Sequence, residues 1–124
     1  MDSTYRRIEW EADQVNPFGP SLSVLASVVS RPSAERLILD VGWKSASSDS
    51  GPPVPKMSGW SFEFAGDEHG ILKRVGGPPL ALGDKIELVP SHCDTTVNLY
   101  DWFIGIRHGG VESVWPIAAR GRSQ

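Results

Sequence analysis

A chain of 124 residues with 40% hydrophobic content has the length of one domain and enough apolar material for a modest core. Its formal net charge is -3 and its basic residues are scattered, which argues against nucleic acid as a partner, because that footprint needs a clustered basic face. The single cysteine excludes an internal disulfide and favours a reducing compartment. Residues 1–19 read as an N-terminal arm whose start, Met1 to Arg7, has no apolar signal core. No apolar run approaches the ~20 residues of a membrane helix, so the expectation is a cytoplasmic protein with no membrane contact.

From residue 20 to residue 124 the pattern is that of one β domain. Leu22, Val24, Ala26 and Val28 alternate with Ser23, Leu25, Ser27 and Val29, and Arg31-Pro32-Ser33 ends that strand. Leu37, Ile38, Leu39 and Val41 form the next, closed by Gly42-Trp43. The stretch from Ser45 to Ser58 is rich in Ser, Gly and Pro, which predicts a stiff loop and no strand. Trp60, Phe62 and Phe64 then share one face, opposite Ser61 and Glu63. Gly66-Asp67-Glu68-His69-Gly70 turns the chain into Ile71–Val75, and Leu82-Gly83-Asp84 turns it into Ile86–Val89. Tyr100, Trp102, Ile104 and Ile106 alternate again, and Arg107-His108-Gly109-Gly110 reads as a hairpin returning through Ser113, Trp115 and Ile117. About seven strands with regular turn signals predict an all-β fold, a single barrel-like or sandwich domain with little helix.

The densest chemistry lies in Pro90-Ser91-His92-Cys93-Asp94-Thr95-Thr96-Val97-Asn98. If this run stays extended, His92 and Asp94 share one face and Cys93 takes the other. An imidazole and a carboxylate so placed form half of a divalent-metal site, with the carboxylate pulling toward harder ions. The plain alternative is a hydrogen-bonded pair at a strand end. Thr95, Thr96 and Asn98 are candidates to orient the ligands from behind. Cys93 reads first as a small buried hydrophobe and second as a zinc thiolate. His69, at a turn tip, is a further candidate for the same cleft, against the ordinary preference of turns for such polar residues. His108 reads as a solvated turn residue. Four lysines and no glycine-rich loop opening a helix give no sign of a covalent cofactor site.

Several segments occur in a telling order: Val28-Val29-Ser30-Arg31-Pro32, Leu39-Asp40-Val41-Gly42-Trp43-Lys44, Ser48-Asp49-Ser50-Gly51, Glu68-His69-Gly70, Leu82-Gly83-Asp84-Lys85, and Pro90 through Asp101. Together they resemble the C-terminal β domain of the D-threonine aldolase and D-serine dehydratase family, over roughly residues 20–120. The resemblance implies a pyridoxal-phosphate-dependent lyase whose cofactor sits on a lysine of an alanine-racemase-like barrel domain. It implies a divalent metal in the β domain, held by a His-x-Asp or His-x-Cys pair, here His92 and Asp94, whose carboxylate and imidazole donors suit Mn, Mg or Zn. The barrel and its lysine are missing from this chain, so the expectation is a domain inactive alone that meets a barrel-bearing partner or a second copy of itself, and an amino-acid substrate. Two other readings stand beside it: a stand-alone β-scaffold metalloprotein and a non-catalytic binding or dimerisation module. The aromatics Trp43, Trp60 and Trp102 are candidates for either contact or core.

Overall fold

The structure is a computed structural model and describes residues 19–122, so the arm expected at 1–19 lies, apart from Gly19, outside the described residues. It contains β1 (Val24–Ser30), β2 (Arg36–Leu39), β3 (Val54–Pro55), β4 (Trp60–Phe64), β5 (Gly70–Arg74), β6 (Lys85–Val89), α1 (Cys93–Val97), β7 (Trp102–Arg107) and β8 (Gly110–Pro116). Six strands form one sheet in the order β3-β6-β1-β2-β5-β4, and β7 and β8 form a separate hairpin. The two ends of the large sheet, β3 and β4, approach each other, which nearly closes a barrel. The all-β, barrel-like expectation holds, with one short helix added. No helix among the described residues is long and apolar enough to cross a membrane.

The period-2 pattern explains why these segments assemble. Val24, Ala26 and Val28 of β1 are buried while Leu25 and Val29 face outward. Their neighbours across the antiparallel ladders, Val24↔Leu88 and Ala26↔Ile86 toward β6 and Val28↔Leu39 toward β2, point inward too. Leu37 pairs with Leu72, and Leu72 with Phe62, which carries the core around to β4. Trp60 belongs to this core, whereas Trp43 and Trp102 are half exposed. Shifting any strand by one residue would expose its whole apolar set, so this alternation also fixes the register.

Two features of the long loop bear on the site. The sequence predicts no strand between Ser45 and Ser58, yet Val54 pairs with Val89 and Pro55 with Leu88. The correction has a simple cause: a proline cannot donate to a ladder, but it is tolerated on an edge strand, and β3 is the edge. Gly42 opens the loop at a point of close backbone approach. The Trp43 N–H donates to the Gly66 carbonyl at 3.1 Å and the Lys44 N–H to the Asp67 carbonyl at 2.9 Å. A Cβ on Gly42 would lie 2.4 Å from the Gly66 oxygen, so only glycine lets the loop start against the β4–β5 turn.

Leu72 is fully buried among strands β2, β4 and β5. Leu72→Ala is expected to cost about 2–5 kcal/mol of unfolding free energy, measured as a loss in the urea midpoint at unchanged slope.

Candidate functional site

β6 runs into Pro90, which is buried and has no N–H to extend the ladder. The chain then leaves the sheet. His92 is still extended (φ -144°, ψ 120°), and the next five residues, Cys93–Val97, form a single helical turn with His92 at its N-cap position. Asp94 lies in the first turn, where a carboxylate suits the free N–H groups. This corrects the extended reading of the Pro90–Asn98 run. Side chains on a helix step by about 100°, so the alternate-face argument that separated Cys93 from His92 and Asp94 does not apply. Cys93 is exposed, not buried, and it lines a small cavity with Ser91, His92 and Asp94.

A set of hydrogen bonds ties this segment to the Ser45–Gly51 loop. The Tyr100 hydroxyl donates to the Ser45 carbonyl at 2.6 Å, and the Ser47 N–H donates to Thr96 Oγ1 at 3.2 Å. The Ser91 hydroxyl donates to the Gly51 carbonyl at 2.6 Å. At the centre Asp49 Oδ2 lies 2.5 Å from His92 Nδ1. The other oxygen of Asp49 accepts from the Ser47 hydroxyl and from the Thr95 hydroxyl at 3.1 Å. Beyond the ring, His92 Nε2 faces Asp94 Oδ2 at 3.9 Å.

The electrostatics follow from these contacts. Hydrogen bonds from Ser47 and His92 pull the Asp49 carboxyl down to about 2, and the Asp49 carboxylate raises the His92 imidazole above its ordinary 6.5. The two shifts have opposite pH consequences. What the raised imidazole adds to stability is complete below 6.5 and fades as pH rises through its folded value. What the lowered carboxyl adds is complete above 3.8 and fades as pH falls toward about 2.

The candidate residues therefore separate. His92 and Thr95 meet at Asp49, Asp94 lies on the far side of the His92 ring, 3.9 Å from Nε2, and Thr96, 2% exposed, anchors the helical turn to the loop. Asn98 is engaged elsewhere: its Oδ1 accepts the Gly121 N–H at 2.9 Å and holds the chain's C-terminal turn. His69 is exposed at the β4–β5 turn and does not line the cavity that His92 lines. His108 occupies the hairpin tip with a positive φ of 52°. No cluster of three or more His, Cys, Asp or Glu side chains suited to a metal occurs among the described residues. Asp49 and Ser47 are site residues that motif reading around His92 overlooks, because they lie 43 and more residues upstream in a loop whose composition suggests only a turn. A second cavity of about 450 Å³ extends from Asp49 and Thr95 to Trp43 and Leu99.

Comparison with known proteins adds identity to this geometry. The sequence model of a family described as "Putative serine dehydratase domain" matches residues 21–106. D-threonine aldolase of Arthrobacter sp. is 41% identical over 126 aligned positions, covering 100% of this chain and 33% of that protein. 3-Hydroxy-D-aspartate aldolase of Paracoccus denitrificans (strain Pd 1222) is 39% identical, covering 98% of this chain and 32% of that protein. This chain thus spans about a third of the length of these relatives. The crystal structure of D-threonine aldolase from Filomicrobium marinum superimposes with a TM-score of 0.75 at 42% identity, over 82% of this chain and 29% of that one. A cysteine-to-alanine variant of D-threo-3-hydroxyaspartate dehydratase, described in its metal-free form, superimposes with a TM-score of 0.60 at 26% identity, over 76% of this chain and 31% of that one.

Thr96→Val keeps the shape of a buried side chain and removes the acceptor of the Ser47 N–H. The orphaned donor is expected to cost about 1–3 kcal/mol, measured by chemical denaturation.

Proposed function

Because this chain belongs to the serine dehydratase domain family, we propose that it is the metal-carrying C-terminal β domain of a lyase acting on β-hydroxy D-amino acids. The observation that carries this reading is the imidazole of His92, held at Nδ1 by a carboxylate and facing a second carboxylate, Asp94, at Nε2. Metal-ligating histidines are usually oriented in this manner through their second nitrogen. Asp94 is 92% exposed and His92 20%, so the pair opens to solvent and to whatever domain covers it. Their 3.9 Å separation lies within reach of two donors each ~2.0–2.2 Å from one ion. The donor chemistry therefore fits a divalent ion with two protein ligands, and the oxygen donor suits Mn and Mg while the imidazole suits Zn. Such an ion supplies a Lewis acid that polarises a substrate oxygen. The chain's own contribution is to hold the imidazole by Asp49 and to anchor α1 through Thr96.

The substrate class rests on what the relatives' names share: D-threonine, 3-hydroxy-D-aspartate and D-threo-3-hydroxyaspartate are all β-hydroxy D-amino acids. Pyridoxal phosphate, implied by the family, does not fit a covalent site on this chain. None of the chain's four lysines lines either cavity at the site; all lie on the surface, Lys44, Lys56 and Lys73 paired with Glu68, Glu87 and Glu63 and Lys85 bonded to Ser27. We assign the cofactor to a separate barrel domain, of the kind that would account for the remaining two thirds of the relatives' length. Such a domain also explains an otherwise costly feature. One face of the β7–β8 hairpin presents Trp102, Ile104, Ile106, Val111 and Val114, all more than half exposed. A two-stranded hairpin with an uncovered apolar face gains by docking to a barrel-bearing partner or a second copy. A cytoplasmic setting accords with the exposed free thiol of Cys93.

Calorimetric titration of the chain with Mn²⁺ and with Zn²⁺ tests the metal site. One weak site is expected, abolished in His92→Ala and strongly reduced in Asp94→Asn. Since only neutral imidazole binds a cation and the His92 pKa is raised, affinity should climb as pH rises through that value and fall below it. Binding that survives His92→Ala, or that is unchanged between pH 5 and 8, contradicts the assignment.

A further inference from the structure

We propose that Asp49 is a positioning residue that selects the tautomer of His92, so that Nε2 rather than Nδ1 presents its lone pair toward Asp94. This role rests on the metal-site reading above and adds to it the residue that prepares the site.

Donors and acceptors alone decide the tautomer. Both oxygens of an ionised carboxylate accept and neither donates. Asp49 Oδ2 sits 2.5 Å from His92 Nδ1, so Nδ1 must supply the proton of that contact. A neutral imidazole has one N–H, which leaves Nε2 as the bare acceptor. Nε2 then faces Asp94 Oδ2, also a bare acceptor, at 3.9 Å. Two lone-pair donors facing each other across that gap are poorly matched until a cation or a proton comes between them. Free imidazole has no such bias fixed by its surroundings; here the loop imposes it.

Asp49 is itself held in one orientation. Its other oxygen, Oδ1, receives the hydroxyls of Ser47 and Thr95. Ser47 is anchored in turn by its N–H to the buried Thr96. Both oxygens of Asp49 are thus engaged with the protein, and the carboxylate is a support for His92 and not a free ligand.

This arrangement has an unusual consequence for substitution. In Asp49→Asn, the two hydroxyls that donate at the Oδ1 position keep the amide oxygen there. The NH₂ group then occupies the Oδ2 position and donates to Nδ1. His92 must carry its proton on Nε2, the face that would meet the ion. The isosteric change therefore inverts the tautomer, as an amide in place of a histidine-bound carboxylate does in catalytic triads. Asp49→Ala, a larger truncation, merely frees the ring.

Long-range ¹H–¹⁵N NMR of His92 in the full chain, metal-free and above the imidazole pKa, reads the tautomer directly. The wild type should be protonated on Nδ1 and Asp49→Asn on Nε2. Zn²⁺ titration of the same proteins should show affinity reduced roughly 10–100-fold in Asp49→Asn, and less reduced in Asp49→Ala than in Asp49→Asn. A structural role alone would give the opposite order, with alanine the more damaging. A wild type protonated on Nε2, or an Asp49→Asn protein that keeps the Nδ1 proton, overturns the inference. Loss of affinity in both variants equal to that of His92→Ala also overturns it, because Asp49 would then be a ligand. Retention of Zn²⁺ by His92→Ala would instead remove the metal reading, while the metal-free tautomer still decides the role of Asp49. Should Asp49→Asn fail to fold, the wild-type tautomer and the Asp49→Ala affinity decide it.

Discussion

The site depends on the seam between the Ser45–Gly51 loop and the Ser91–Tyr100 segment. Neither piece has regular structure of any length: one is a loop and the other a single helical turn after β6. A five-residue helix has no stability of its own in water. What holds it is the seam: Tyr100 to Ser45, Thr96 to Ser47, Ser91 to Gly51, and His92 to Asp49. The barrel contributes the two ends. β2 delivers the loop through Gly42, pressed against the β4–β5 turn, and β6 delivers the segment through buried Pro90. A rigid sheet thus carries two irregular segments to a common point, the usual division of labour between scaffold and functional loop.

The same seam ties stability to chemistry. One contact both lowers the proton affinity of Asp49 and raises that of His92. The groups are exposed enough that this contact is a modest contributor to folding. Its geometric effect is to hold the His92 ring against the loop. The buried polar residue of the seam is Thr96, the only residue of polar type that is buried among the described residues. Fold and site therefore meet at a threonine, one residue from Thr95, which touches Asp49.

Much of the barrel is legible in the sequence because its strands bury one face. Val24, Ala26 and Val28, or Trp60 and Phe62, announce their inward positions by alternation alone. β3 is not legible, since Val54–Pro55 is two residues long and pairs only as an edge, which leaves no period to read. The turn after His92 escapes sequence reading for a related cause: Thr and Val favour strands, and tertiary hydrogen bonds override that preference over so short a run. His92 and Asp94 stand out because imidazole and carboxylate are chemically distinctive. Asp49 does not, because a Ser-rich loop with one Asp reads as a turn, and its role exists only through a contact spanning 43 positions. Trp102 is legible as an apolar strand residue but not as an exposed one, because alternation reports that a face is apolar and says nothing of what covers it.

Paramagnetic broadening by Mn²⁺ in the ¹H–¹⁵N spectrum of the chain locates a bound ion without presuming its ligands. If the seam builds the site, substoichiometric Mn²⁺ will broaden the amides of residues 91–95 and of Asp49 first, from both sides of the seam at once. Broadening centred on Glu68 and His69 at the β4–β5 turn, or no localised broadening at all, would contradict a metal site built by the seam.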